Sequence, residues 1–330
     1  RQKIISQFVS LSKAHLMKVI LPCIIAISIC AIQCKKEVPE TSTACESGTT
    51  NQNASDTCNL HPELCNKKFN EVSFLMTHNA HADLTDFSSL AANQDGDITA
   101  QLNAGVRGIG IKVYNTTGSS TAWLFCSGAP DNLYVYHGDP TLGCETFESV
   151  LMEIKAFYEA NPKEVIPITI EGDAPPSEVM NAFINAGMDT YMYEQDFNLP
   201  WPTLQTLINE NKRLVVFMDD GTDTDTYPKI HDMYNFIYDT DYDHQSSSTF
   251  DCEKFRGNHT EGSLFTLNHF ITDITPQQDD AAIINDVSYL LPRARSCWVY
   301  NNHIPNFVMI DFWNTSNPLQ SIDSLNLNGL

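Results

Sequence analysis

From residue 58 onward the chain alternates between short apolar runs rich in β-branched residues and longer stretches whose apolar positions recur every three or four residues. The first pattern predicts strands at 72–76, 108–114, 133–136, 165–170, 214–218, 264–267 and 307–310. The second predicts helices. One carries Phe147, Val150, Leu151, Ile154, Phe157 and Tyr158 on a single face. Another carries Val179, Met180, Phe183 and Ile184, and a third Ile283, Ile284, Val287, Leu290 and Leu291. Strands alternating with helices over about 270 residues predict an α/β fold, and the size suits an irregular TIM-type (β/α) barrel. A doubly wound sheet would place a glycine-rich loop after its first strand. Here the first strand runs into THNAH instead, and no repeat of fixed period is visible.

A barrel assembles its chemistry just past the C-terminal ends of its strands. Those positions hold His78 and Asn79, then Lys112, His137, Glu171, Asp219 with Asp220, Asn268 with His269, and Asp311. Two histidines, a lysine and several carboxylates would converge there, which is acid–base equipment with a cation for an anionic group. Taken singly, each has a plainer role as a hydrogen-bonded or solvated side chain, so the inference rests on the set. Lys112 and Asp311 carry extra weight. Each interrupts an apolar run (GIGIKVY, VMIDFW), where a charge is costly unless it faces a polar cavity or a partner. His81, His231, His244, His259 and His303 fall in loop-like stretches and read as surface residues.

Charge narrows the partners. The 330 residues hold 19 Lys and Arg against 41 Asp and Glu, a formal net charge of −22. That balance excludes nucleic-acid binding and opposes adsorption to anionic headgroups. Membrane attachment would have to come from the N-terminus. There Met17-Lys18 leads into VILPCIIAISICAIQ and then Cys34, a run shorter than a spanning helix and similar to a bacterial lipoprotein signal. The expected organisation is upstream residues and signal in 1–33, an acylated Cys34 opening a polar tether over 34–57, and one domain over 58–330, exported and monomeric. Seven cysteines remain beyond Cys34, without zinc-type spacing, so disulfides in an oxidising compartment are expected. Sequence does not determine their connectivity. The pairing carried forward is Cys58–Cys65, Cys126–Cys144 and Cys252–Cys297, with Cys45 unpaired.

The segments FNEVSFLMTHNAH, QLNAGVRGIGIKVY, LYVYHG, LGCETFESVLMEIKAFYEANPKEVIPITIEG, SLFTLNHF and PNFVMIDFWNTSNPLQSID, in this order, resemble the catalytic domain of phosphatidylinositol-specific phospholipase C of the metal-independent bacterial type. The resemblance implies an irregular TIM-type barrel and a phospholipid or other phosphodiester as substrate. It implies cleavage through a cyclic phosphate, with His78 as general base oriented by Asp311 and His137 as general acid. Lys112 stands where bacterial members carry an arginine, and where calcium-dependent members carry the second acid of an acid-x-acid pair whose first position is Gly110 here. It therefore resembles a built-in cation replacing calcium. Asn79, Glu171, Asp219 and Asn268 would line the substrate. No cofactor is implied. The alternative is calcium on Asn79 and Glu171, which supply too few oxygens for that ion. Two competing functions remain: a glycerophosphodiester phosphodiesterase, which usually needs that acid-x-acid pair, and a non-catalytic, surface-tethered binding protein on a degenerate barrel.

Overall fold

The computed structural model describes residues 57–115, 122–126, 132–260 and 262–330. The expected signal, Cys34, Cys45 and nearly all of the tether lie outside these residues. Among the described residues eleven strands join one sheet: β1 (Phe74–Thr77), β2 (Gly108–Asn115), β3 (Leu133–Val135), β4 (Glu145–Thr146), β5 (Ile166–Gly172), β6 (Leu214–Met218), β7 (Ile230–Asp232), β8 (Ile237–Asp239), β9 (Arg256–Gly257), β10 (Leu264–His269) and β11 (Phe307–Ile310). Eight of them run parallel in the order β7-β6-β5-β2-β1-β11-β10-β8. Among the described residues no ladder joins β7 to β8. The sheet is thus a curled, mostly parallel half-barrel rather than a closed ring.

Two departures from expectation have clear causes. Strands β7 and β8 are three residues each, separated only by the four-residue helix Met233–Phe236, so no apolar run is long enough to announce them. The segment at 133–136 is not a ring strand. Strand β3 lies antiparallel to β2 and pairs outward with β4, forming an excursion that runs back toward the C-terminal end of the sheet.

Alternation along the strands builds two cores. In β11, Val308 and Ile310 face the helices while Phe307 and Met309 face inward; in β6, Val216 and Met218 face the helices while Val215 and Phe217 face inward. The helix Phe147–Ala160 buries all six residues of its predicted face against the outer core, and Thr146 caps it by accepting from Ser149 N. The inner core is aromatic: Phe69, Phe74, Trp201, Phe217, Phe236 and Phe307 fill the lower half of the sheet. The third predicted helix is two, Gln278–Ile284 and Val287–Asn301, because Asp286 caps the second one and interrupts the first.

Candidate active site

Five inward series end on a charged or ionisable side chain. Phe74 and Met76 lead to His78, Gly108 and Gly110 to Lys112, and Thr169 to Glu171. Val215 and Phe217 lead to Asp219, and Phe307 and Met309 to Asp311. The same period-two count that fills the floor with aromatic rings therefore aims these polar residues into one mouth. The register places Lys112 directly beside Glu171. Gly172, with φ of 124°, lets the chain turn after Glu171; a Cβ there would sit 2.1 Å from Val113 O.

At the centre, His78 Nδ1 lies 2.9 Å from Asp311 Oδ1. Asp311 also accepts from Asn93 Nδ2 at 3.1 Å. Asn79 directs its Nδ2 at His78 Nε2 and at Asn93 Oδ1, both at 3.1 Å. Phe270 stacks on the His78 ring, 4.0 Å between centroids and 10° from coplanar. Gln94 Nε2 donates to His78 O at 2.7 Å and to Ile310 O at 3.1 Å, tying together the ends of β1 and β11.

The β3 excursion delivers His137, whose ring centroid is 6.5 Å from that of His78. Its Nδ1 donates to Ala91 O at 2.8 Å, which leaves Nε2 as the exchangeable nitrogen. Burial pushes the His137 imidazole below its ordinary value, and the nearby His78 and Lys112 act in the same direction. Lys112 Nζ is 2.9 Å from Glu171 Oε2, and the two side chains remain 28% and 34% exposed. Burial alone would lower the Lys112 ammonium, but the Glu171 carboxylate outweighs it and holds it high. Burial would likewise raise Glu171, and Lys112 reverses that, so both stay charged. Asp219 is pushed up to about 6 by burial and by the charges of Glu171 and Asp220, and its Oδ1 has no partner.

Asn268 is nearly enclosed beneath this layer. Its Nδ2 donates to Thr240 O at 2.6 Å and approaches Asp239 Oδ2 at 3.4 Å, so it supports the wall instead of facing an open mouth. Asp239 and Arg256, absent from the sequence reading, form a second charged pair with Arg256 Nε 3.0 Å from Oδ2. Asp239 ends an inward series that the three-residue strand β8 conceals. Asn93, Gln94 and Phe270 were also missed. Asn93 and Gln94 lie in a segment without periodicity, whereas Phe270 is the next inward position past Thr266 and Asn268 of β10.

Three histidines read as surface residues are buried: His81, His231 and His244. His231 donates from Nδ1 to Val216 O and accepts from Gln195 N; burial pushes its imidazole down to about 4. It is a neutral structural residue. His259 is exposed and His303 half-buried. The cysteines pair as Cys58–Cys65, Cys126–Cys144 and Cys252–Cys297. The second of these bonds brackets β3 and so the approach to His137.

The donor set does not fit a calcium ion. Among the described residues no three His, Cys, Asp or Glu side chains are grouped to hold a metal. Asn79 is engaged with His78 and Asn93, and Glu171 with Lys112. At Gly110, where an acid would be needed, a Cβ would meet Thr77 O at 2.9 Å.

Comparison with known proteins agrees with this architecture. Residues 64–326 match the PI-PLC X family (PI-PLC X 1), and the chain belongs to that family. It is 25% identical over 288 residues to PI-PLC X domain-containing protein 1 of Arthroderma benhamiae, covering 82% of this chain and 89% of that protein. It is 27% identical over 263 residues to PI-PLC X domain-containing protein At5g67130 of Arabidopsis thaliana, covering 74% of this chain and 58% of that longer protein. In fold it is similar to phosphatidylinositol-specific phospholipase C from Listeria monocytogenes, with a TM-score of 0.52 and 17% identity over 78% of this chain and 94% of that one.

Proposed function

We propose that the chain is a metal-independent phosphodiesterase of the phospholipase C type. His78 Nε2 removes the proton from a substrate hydroxyl adjacent to the phosphate. That oxygen forms a bond to phosphorus as the bond to the departing alcohol breaks, and His137 Nε2 gives the alcohol its proton. The products are a cyclic phosphate and, for a lipid substrate, diacylglycerol. Lys112 stabilises the charge on the phosphoryl oxygens, while Glu171, Asp219 and the hydrogen-bonded amide of Asn79 face the headgroup. Each acid–base group of this kind contributes about 10²–10⁴-fold, with electrostatic stabilisation adding the larger share.

The observation that carries this reading is the pair of imidazoles. One is oriented through Nδ1 by a carboxylate and the other through Nδ1 by a carbonyl, with the rings 6.5 Å apart and His78 Nε2 met by the Asn79 amide. The lowered His137 imidazole adds a constraint. It is neutral in the empty site at neutral pH, and the negative charge of a bound phosphodiester is what draws a proton onto it. The three disulfides agree with an oxidising, extracellular setting.

The decisive assay presents the purified chain with phosphatidylinositol and with other phosphodiesters, with and without chelator, and follows phosphorus resonances. A cyclic phosphate whose rate of formation ignores chelator is the expected result. Absence of turnover on every diester would leave a binding protein. Activity that chelator abolishes would overturn the metal-independent mechanism.

A further inference from the structure

Asn93 lies fifteen residues beyond His78, yet its side chain closes a ring of four groups around that histidine. Asp311 Oδ1 faces His78 Nδ1 and Asn93 Nδ2. Asn93 Oδ1 faces Asn79 Nδ2, and Asn79 Nδ2 faces His78 Nε2. Asn79, Asn93 and Asp311 are all buried, so no bulk water substitutes for a missing partner. We propose that Asn93 is a positioning residue that keeps Nε2 of His78 unprotonated and receptive, acting through Asn79 and Asp311 and resting on the reading of His78 as the general base.

The argument is one of donors and acceptors. A carboxylate only accepts, so the Asn93 group facing Asp311 must be the NH₂. The opposite end of that amide, facing Asn79, must then be the oxygen. Asn79 in turn must offer NH₂ to it, and the same nitrogen meets His78 Nε2. The only complementary state of the ring carries its proton on Nδ1, donated to Asp311, and presents a lone pair at Nε2. A protonated Nε2 would meet a donor. Turning the Asn79 amide to relieve that clash would set its oxygen against Asn93 Oδ1, and turning Asn93 as well would set an oxygen against the carboxylate. Asn93 thus fixes the direction of the Asn79 amide, which keeps Nε2 unprotonated until a substrate hydroxyl takes the place of the Asn79 N–H.

The backbone anchors Asn93 for this role. Its N–H donates to Ala82 O at 2.8 Å and its carbonyl accepts from Phe312 N at 2.8 Å, linking the loop to the residue after Asp311. Asn79 has φ of 45°, a left-handed conformation that asparagine tolerates and that aims its short amide back at the preceding ring. Other charged or titratable groups also face His78. They are His137 from the β3 excursion, Glu171 from β5 with its partner Lys112 from β2, His81 from the following loop and Asp311 from β11. None of them touches Nε2; Asn79 does.

The test uses the full chain with ¹⁵N-labelled histidine, the His78 signals being identified by their loss in His78→Gln. The wild type should show a protonated Nδ1 and an unprotonated Nε2 at neutral pH. In Asn93→Ala the Asn79 amide is free to turn and accept from Nε2, so Nδ1 should stay protonated against Asp311 while Nε2 holds a second proton to higher pH. The acid limb of kcat/KM should move to higher pH, because a turned amide can now accept from a charged ring. The value of kcat should fall about 10-fold or more with KM within about twofold, the scale of lost supporting hydrogen bonds in other sites. Asn93→Asp, of the same size, guards against a mere packing defect and should likewise hold the second proton on Nε2 to higher pH. In an Asn79→Ala background, Asn93→Ala should move the acid limb far less, since the relay is already cut. Gln94→Ala removes the neighbouring backbone clamp and should lower thermal stability while leaving the His78 tautomer in place. A Nε2 that gains its proton at the wild-type pH in both Asn93 variants would overturn the proposal. If the wild type turns over no phosphodiester, the catalytic reading fails, and the nitrogen signals still decide what Asn93 does.

Discussion

Strands β2 and β5 carry an ion pair at each end, and the two pairs differ in kind. Below the sheet, Arg107 Nε lies 2.6 Å from Glu164 Oε2, with both residues buried. The guanidinium also donates from Nη1 to Leu102 O and Val106 O, and lies 4.9 Å over the Phe157 ring. Three of its five N–H donors are taken up by the protein. At the mouth, Lys112 and Glu171 make one contact and keep about a third of each side chain open to solvent. An arginine fork suits a closed structural site, whereas an ammonium with free donors suits one that must accept a visitor. A charge inside an apolar run therefore has two meanings, and the end of the strand on which it falls separates them.

The largest effect should come from the floor. Arg107→Met leaves the Glu164 carboxylate buried and unpaired, and should cost about 3–5 kcal/mol of folding stability, read as a lowered denaturation midpoint. A loss under 1 kcal/mol would mean that the floor pair is as dispensable as the one at the mouth, and the contrast would collapse.

Lys112→Met should invert that profile. Stability should change by no more than about 1 kcal/mol, as for other partly exposed pairs. Turnover should fall about 10²–10³-fold, the scale on which a single stabilising donor contributes to a charged transition state. A structural role for Lys112 would instead show as unfolding without a selective loss of kcat.

The smallest effect concerns Asp219, the mouth acid pushed up to about 6 from 3.8. Because its folded value is raised, the stability associated with it is fully present below pH 4 and is lost as pH rises through about 6. Asp219→Asn should therefore raise stability at pH 7–8 and leave it unchanged near pH 3.5. Partial exposure limits the gain to about 1 kcal/mol. Equal stabilisation at both pH values would mean that the charge at Asp219 is not what opposes folding.

Much of this contrast was legible in the chain. Strands β6 and β11 coincide with their apolar runs, and the charges inside GIGIKVY and VMIDFW mark Lys112 and Asp311 directly. The residues that hold those groups in place were not legible. Asn93 and Gln94 act from a loop, where no period relates a side chain to its surroundings. Asp239 was hidden because three residues are too few to display alternation. His81 and His231 illustrate the converse error, since a histidine in an irregular segment looks solvated until the segment is seen to cross the core.

The inward alternation also constrains how this molecule can vary. Deleting one residue from within β1 or β11 would rotate His78 or Asp311 to the helix side and bring an aliphatic side chain into the mouth. A change of length inside a ring strand exchanges the two faces and removes the site in one step. A change of length in a connection beyond the strand ends leaves the phase of every inward series intact. Connections other than the one that holds Asn93 and Gln94 can therefore change length, while the strands beneath them are held to a residue count that tolerates substitution far better than insertion.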